Sequence, residues 1–142
     1  MPGRISAPED ADGRAAAMAA ALGYRVVFTG DGKSEIEWIP RPPWVNYGGT
    51  VFGGIVSALV DTVTGLAVAS ACGSDIAHLP TVSMHVDYLR PLTLDVVHTV
   101  RGEALRIGRR LAVADAYVTD PSGDLLVRGS VTMSLRGAKP VK

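Results

Sequence analysis

The spacing of apolar residues predicts a short helix and then a pair of strands at the start of the chain. An Ala-rich segment predicts a helix over about residues 11–22, which Gly23 ends because glycine readily adopts the left-handed conformation found after helices. Two segments rich in β-branched and aromatic residues follow, YRVVFTG and SEIEWIP. They flank the dipeptide Asp31-Gly32, so they predict two strands joined in a tight hairpin.

A long apolar segment fills the middle of the chain, after a proline-rich stretch that predicts a surface loop. From Phe52 or Gly53 to about Ala71, apolar residues recur on nearly every side of a helix, so this helix must be covered on most sides. Its length would also suit a membrane span. However, Asp61 near its centre costs roughly 3 kcal/mol on insertion scales. We therefore expect a buried helix in a soluble core.

Beyond the helix the hydrophobic period changes to two, which is typical of strands. In TVSMHVDYL one side of the strand carries Val82, Met84, Val86 and Tyr88, which alternate with polar residues, and Pro91 closes the strand. The segments DVVHTVRGEAL, RRLAVADAYVTD and LLVRGSVTMSLR predict three more strands, and the turn DPSG joins the last two. Short turns make neighbouring strands antiparallel.

These elements predict an α+β fold in which one antiparallel sheet curls around one long central helix, with a short N-terminal helix outside. Such a wrap hides the apolar face of the sheet and the apolar surface of the helix together. The chain of 142 residues suits one domain, which we place over residues 1–142 with flexible ends at 1–10 and 138–142.

Composition excludes several classes of function. Fourteen Lys and Arg residues balance 14 Asp and Glu residues, so no net field attracts a nucleic acid or an anionic membrane. The single cysteine, Cys72, cannot form an internal disulfide and fits a reducing compartment, so we expect a cytoplasmic protein. His78, His85 and His98 lack the spacing of metal ligands, so we expect no metal.

The small and polar residues of the long helix share one stripe. At about 100° per residue, they fall within about a third of the circumference. The stripe consists of Gly54, Ser57, Asp61, Thr64 and Gly65. A carboxylate that is partly desolvated there costs several kcal/mol unless it is paired, which favours a functional role for Asp61. The alternative is a solvated edge residue, or an acceptor for a buried amide.

The start of the same helix supplies hydrogen-bond donors. The backbone N–H groups of Phe52, Gly53 and Gly54 have no helical acceptor, and they suit a developing oxyanion. Asp61 lies roughly 11 Å away along the axis, so one reacting centre cannot touch both. If two such helices met antiparallel across a two-fold axis, the N-terminus of one would lie beside Asp61 of the other. Alternatively, the paired glycines serve only close helix packing.

The pattern Asn46, Phe52-Gly53-Gly54, Asp61 resembles that of the hotdog-fold acyl-CoA thioesterases, in particular the small phenylacetate-pathway type. That family has Asn, then His-Gly-Gly, then an acidic residue in the following helix. The similarity extends over about residues 24–135 and includes the strand that ends in Tyr88-Leu89-Arg90-Pro91. It implies a hotdog fold and hydrolysis of an acyl-CoA to a free acid and CoA. It implies no cofactor, because CoA is part of the substrate.

The resemblance also implies roles for individual residues. The Gly53 amide would polarise the thioester carbonyl, and Asn46 would help to shape that pocket. Asp61 from the facing subunit would activate or position water, or attack directly. Thr81 matches a Ser or Thr that holds the nucleophilic water in some members. The family binds CoA along the dimer surface and commonly assembles as a homotetramer of two homodimers. Asn46 is equally explained as a turn residue, and Thr81 by β propensity.

Phe52 departs from the family pattern, which has His at this place. Phenylalanine neither donates nor accepts a hydrogen bond, but the backbone donors survive the change. A non-hydrolytic acyl-CoA-binding protein is therefore the second hypothesis. A hotdog-fold dehydratase ranks last, since it needs a histidine near the Gly-Gly turn.

Three arginines are candidates for binding the phosphates of CoA, because guanidinium groups suit phosphate geometry. They are Arg90, Arg109 and Arg110. The alternative for the last two is a solvated strand edge that blocks aggregation. Together with Phe52, Gly54, Ser57 and Thr64, they complete the predicted substrate-binding set.

Overall fold

The computed structural model describes residues 14–73 and 79–136. Its elements are α1 (Arg14–Leu22), β1 (Tyr24–Gly30), β2 (Lys33–Trp38), a 3-10 turn (Pro42–Trp44), α2 (Gly53–Cys72), β3 (Thr81–Tyr88), β4 (His98–Ile107), β5 (Leu111–Thr119) and β6 (Leu125–Ser134). This order of one helix, two strands, one long helix and four strands is the predicted one. The predicted flexible ends and the first residues predicted for α1 lie outside the described residues.

All six strands form one antiparallel sheet in the order β1-β2-β4-β5-β6-β3. The sheet curls around α2, which packs against every strand. Half of the 20 residues of α2 are buried. The helix is long and apolar enough to cross a membrane by length and composition, yet here the sheet supplies its apolar surroundings. The prediction of a core helix wrapped by an antiparallel sheet is confirmed.

Glycines in the sheet allow α2 to approach closely. A Cβ at Gly102 in β4 would overlap the Val63 carbonyl oxygen of the helix, and a Cβ at Gly129 in β6 would lie 2.6 Å from Val60 Cγ1. Beside Gly102, Ser34 Oγ donates to the same Val63 carbonyl over 2.5 Å. Side chains larger than hydrogen would force the helix away from the sheet. The sheet therefore fixes the position and rotation of α2.

Strand β3, at one edge of the sheet, leaves apolar residues uncovered. It pairs only with β6, and its other edge meets no strand among the described residues. Its alternating residues Val82 and Met84 are 60% and 41% exposed. The sequence pattern predicted their shared side of the strand but not that a single chain would leave this side open.

One histidine is sealed inside the fold. His98 opens β4 and is fully buried. Its Nδ1 donates to the Val96 carbonyl over 2.8 Å, while its Nε2 has no hydrogen-bond partner in the described part of the chain. Burial lowers the pKa of His98, against smaller opposite effects of the Val96 carbonyl and the Asp120 carboxylate. The folded protein therefore favours the neutral imidazole.

We expect His98 to make folding stability fall in mild acid. The unfolded imidazole binds a proton near pH 6.5, whereas the folded one does so only at a lower pH. Its contribution is therefore complete above that value and is lost as the pH falls below it, at no more than about 1.4 kcal/mol per pH unit. Urea unfolding at about pH 7.5 and about pH 5.5 measures the loss.

Replacing the His98 imidazole tests how much it contributes to the loss of folding stability in mild acid. The variant His98→Leu is expected to lose less stability than the wild type between the two pH values. His85→Gln removes an exposed imidazole on β3 and should behave like the wild type. Parallel losses in the wild type and His98→Leu would assign the acid sensitivity to other groups.

Candidate functional site

Strand β3 contacts α2 through a polar side chain at each of its ends. At the first end, Thr81 Oγ1 donates to Asp61 Oδ1 over 2.5 Å. At the other end, the Tyr88 hydroxyl donates to the Gly53 carbonyl oxygen over 2.6 Å. Asp61 is half-buried, and Thr81 is exposed. One strand thus holds both the carboxylate and the beginning of the helix.

The N-terminus of α2 presents two backbone donors. Phe52, at the N-cap, has an extended backbone (φ −62°, ψ 123°) and makes no side-chain cap. Its own N–H donates to the Trp44 carbonyl over 2.6 Å, and its carbonyl accepts from the N–H groups of Ile55 and Val56. Within the described residues, the N–H groups of Gly53 and Gly54 have no protein acceptor. These two amides are the ones available to a ligand.

Asn46 organises the loop before α2. Its Oδ1 accepts from the backbone N–H groups of Gly48 and Thr50 at 2.9 and 3.1 Å, and its Nδ2 donates to Thr50 Oγ1 at 2.9 Å. These bonds are those of a turn residue. The side-chain amide carries two N–H groups, and the bond to Thr50 uses one of them. Asn46 can therefore close its loop and still donate to a ligand.

A cavity of about 320 Å³ lies beside the start of α2. Its wall combines Asn46, Thr50, Val51, Gly53, Val56, Tyr88, Leu89, Arg90, Pro91 and Leu92. It therefore brings together three predicted site residues from the loop, the helix and the end of β3, namely Asn46, Gly53 and Arg90. Arg90 also lies 3.5 Å from Asp124, as an exposed pair. The cavity is mostly apolar, with a cation and backbone donors at its rim.

The remaining predicted residues lie outside this wall. Gly54 and Phe52 are exposed, and the Phe52 ring lies so close to Gly54 that a Cβ there would be 2.5 Å from it. Thr64 is fully buried and donates to the Val60 carbonyl of its own helix over 2.8 Å. Arg109 and Arg110 are exposed in the β4–β5 turn. The stripe of α2 is thus open near its N-terminus and covered beyond Asp61.

Tyr88 is a site residue that the sequence analysis missed. Its hydroxyl contacts Gly53, and the Ser57 hydroxyl lies 2.5 Å from it. The alternation of β3 placed Tyr88 on the apolar side, where its hydroxyl was the single sign in the sequence that it makes a polar contact. A tyrosine hydroxyl within a packed surface normally needs a partner, but the sequence could not say that this partner is a helix start 35 residues earlier.

A second cavity, of about 250 Å³, lies on the outer face of the sheet. Three of its charged or titratable groups are paired, since Asp87 accepts from Arg128 and His85 over 2.9 Å each. The bond from Arg128 is the main reason that the pKa of Asp87 lies below its usual range. None of the predicted site residues lines it. Over residues 14–73 and 79–136, no three His, Cys, Asp or Glu side chains gather as metal ligands would.

Comparisons with known proteins place this geometry in a family. The model of the thioesterase superfamily matches residues 48–127, which include α2, β3 and the cavity wall beyond Asn46. A protein of Halobacterium salinarum, provisionally named an esterase, is 33% identical over 105 residues, which cover 71% of this chain and 68% of the relative.

Solved structures agree. A hypothetical thioesterase of Streptococcus pneumoniae, crystallised with coenzyme A, is 29% identical with a TM-score of 0.75, covering 82% of this chain and 88% of the other. A mutant phenylacetic acid degradation protein of Thermus thermophilus is 24% identical with a TM-score of 0.75, covering 83% and 97%, and this likeness establishes the fold alone. The predicted hotdog fold is confirmed.

The family match spans more than half of the chain, and the Halobacterium salinarum relative covers 71% of it. The resemblance inferred from Asn46, the Gly-Gly pair and Asp61 is thereby confirmed. The chain belongs to the thioesterase superfamily.

Proposed function

We propose that the protein is an acyl-CoA thioesterase that hydrolyses a CoA thioester to a free carboxylic acid and CoA. Membership of the superfamily and the coenzyme A bound by the Streptococcus pneumoniae structure support this substrate class. The observation that carries the proposal is the double attachment of β3 to α2, with Asp61 at one end and Gly53 at the other. The site contains an acid and an oxyanion-binding helix start.

The two halves of this site belong to different chains in the proposal. On one helix, Gly53 and Asp61 are separated by roughly 12 Å along the axis. A thioester carbon cannot reach the donors and the acid of the same helix. A two-fold axis that sets two α2 helices antiparallel would bring Gly53 of one chain near the partner's Asp61.

The open edge of β3 favours such pairing. An exposed strand edge with apolar side chains is a template for another strand. If β3 pairs antiparallel with β3 of a second copy about its midpoint, Thr81 of one copy faces Tyr88 of the other. Because Thr81 holds Asp61 and Tyr88 holds Gly53, the strand pairing would align both halves of the site. The partner would also cover Val82 and Met84.

The chemistry follows from the groups assembled. The N–H groups of Gly53 and Gly54 donate to the thioester carbonyl oxygen, where negative charge develops as the carbon becomes tetrahedral. The partner's Thr81 holds one oxygen of the partner's Asp61, as it does within each chain, so the second oxygen accepts a proton from the attacking water. Water adds to the carbonyl carbon, the carbon–sulfur bond breaks, and the sulfur leaves as CoA. A variant of this route has Asp61 attack directly and water release the acid.

The phosphates of CoA are assigned to Arg90, which stands at the rim of the cavity. Arg109 and Arg110 remain further candidates, since their turn lies at the Thr81 end of the sheet, where β5 and β3 flank the end of β6. Assembly of two dimers into a homotetramer and a cytoplasmic location complete the proposal. The single cysteine of the chain suits a reducing compartment.

Phe52 supports one alternative function, the non-hydrolytic binding of an acyl-CoA. Phe52 is 53% exposed beside the Gly53 and Gly54 amides, where the resemblance led us to expect an imidazole. The ring can contribute packing but no proton. Carbonyl polarisation in this protein would therefore rest on backbone groups alone.

Asp61→Asn is expected to reduce thiol release from acyl-CoA esters by about 100-fold or more, the usual effect of losing a general base. The amide can still accept from Thr81, so folding should be preserved. The measurement is thiol release over a panel of short, long and aromatic CoA esters, with thermal unfolding as the folding check. Asp95→Asn is the matched control, because the Asp95 carboxylate is exposed and, in the described part of the chain, pairs with the exposed Arg41 over 3.0 Å.

Equal rates in the wild type and Asp61→Asn would remove Asp61 from the mechanism. Thermal stabilisation of the wild type by CoA esters, without thiol release from any of them, would select the non-hydrolytic alternative.

Arg90→Gln is expected to raise KM for acyl-CoA about tenfold with little change in kcat, since it removes one charge-assisted contact worth about 1.5–3 kcal/mol. Arg25→Gln is the control, because Arg25 lies on β1 at the opposite edge of the sheet and is paired with Glu37. Steady-state kinetics with the best ester of the panel provides both constants. An unchanged KM would exclude Arg90 from phosphate binding, and the same assay on Arg109→Gln and Arg110→Gln decides whether that turn takes part.

A further inference from the structure

The hydroxyl of Tyr88 lies between two polar groups of α2. It donates to the Gly53 carbonyl oxygen over 2.6 Å, and Ser57 Oγ lies 2.5 Å away. A phenol has a single proton, and a carbonyl oxygen can only accept. Both short contacts are satisfied only if Ser57 donates to Tyr88 and Tyr88 donates to Gly53. The three groups form a directed chain of hydrogen bonds that ends on the first carbonyl of the helix.

That carbonyl belongs to the same peptide group as the Gly54 N–H. A hydrogen bond received at the oxygen draws electron density from the nitrogen, so the N–H becomes a stronger donor, and chains of such bonds reinforce one another. The Gly53 N–H is strengthened as a donor in the same way, because the Phe52 carbonyl of its peptide group accepts from the N–H groups of Ile55 and Val56. Each of the two free amides therefore sits at the end of a polarised peptide.

We propose that Tyr88 is a positioning residue of the oxyanion site: through the Gly53 carbonyl, it orients the Gly54 N–H and strengthens it as a donor to the thioester oxygen. This inference rests on the proposed hydrolysis of an acyl-CoA. It also limits the role of Ser57, whose only proton is engaged by Tyr88, so that Ser57 can accept a hydrogen bond from a ligand but not donate one.

The fit of the ring favours glycine at position 53. A Cβ there would lie 3.2 Å from Tyr88 Cζ and 3.3 Å from Cε1, tighter than nine in ten real Cβ contacts, so the ring would have to move by a few tenths of an ångström. The ring also forms part of the cavity wall with Gly53 and Val56. Gly53 thus serves two purposes, as a free amide and as the space that allows the phenol to reach the carbonyl.

A purely structural role would make Tyr88 a tether between β3 and α2, so the test must separate positioning from tethering. Tyr88→Phe keeps the ring and removes the hydroxyl. We expect kcat to fall roughly three- to tenfold, the value of one hydrogen bond, with KM within twofold and the dimer intact. Ser57→Ala removes only the first bond of the chain and should lower kcat less. Tyr117→Phe, on the outer face of the sheet, is the control.

The infrared band of the substrate carbonyl gives a direct reading of donor strength. In the Asp61→Asn background, an acyl-CoA with a ¹³C-labelled carbonyl should show a band shifted to lower frequency than the free ester. Adding Tyr88→Phe should shift the band part of the way back towards the frequency of the free ester. Replacing Tyr88 by a fluorinated tyrosine, a stronger donor, should move it further down at mildly acidic pH, where the phenol keeps its proton.

An unchanged band and an unchanged kcat in Tyr88→Phe would overturn the inference. If Tyr88→Phe does not fold or dimerise, the fluorinated tyrosine decides alone, and a band that does not respond to it also overturns the inference. Failure of the proposed function looks different: the wild type would release no thiol from any ester, while the band of a bound ester would still report whether Tyr88 acts on the amide.

Discussion

Polar groups on an enclosed helix need partners, and this requirement governs the structure. The sheet packs against α2 through every strand and buries half of its residues, so water reaches only the remaining part of its surface. A carboxylate and a helix start placed there would be destabilising without compensating hydrogen bonds. Strand β3 supplies one bond to each, from Thr81 to Asp61 and from Tyr88 to Gly53. Strand β3, at one edge of the sheet, therefore holds both polar parts of the site in place.

In the proposed account, the same strand explains why a single chain is an incomplete unit. Within the described residues, β3 has one paired and one open edge, and its apolar residues Val82 and Met84 are exposed. Closing that edge with a second copy would bury these residues and remove an aggregation hazard. It would also join an acid from one chain to the free amides of the other. In the proposed account, both stability and catalysis thus require β3 to pair with a second copy of the chain.

The elements of the fold were predictable because they depend on local properties. The Asp31-Gly32 turn specifies the hairpin, and a change of hydrophobic period separates α2 from the strands that follow it. The absence of a covering layer for α2 other than the sheet was enough to infer the wrap. Gly73 ends α2 in a left-handed conformation (φ 62°), a boundary that local chemistry also explains.

The details of the site were less accessible, because they arise from tertiary contacts. On the helical wheel Thr64 belongs to the polar stripe, but in the fold it is buried and bonded to its own helix. The side-chain amide of Asn46 makes three hydrogen bonds within its own loop. Nothing near Tyr88 in the sequence points to Gly53. Periodicity indicates which side of an element a residue occupies, but not which distant group it meets.

The most direct test of the two-chain site is the mixing of two inactive variants. Asp61→Asn removes the acid, and Gly53→Pro removes one oxyanion donor. The added Cβ shifts the exposed Tyr88 ring by a few tenths of an ångström, but only in the half-site that the variant already disables. Proline suits the first position of a helix, and Phe52 before it already has the extended backbone that proline requires. If each site takes its acid and its amides from different chains, mixed dimers contain one site with both groups intact. We predict that thiol release reappears when the two variants are unfolded and refolded together. A mixture as inactive as its components, with mixed dimers verified by mass, would contradict the account.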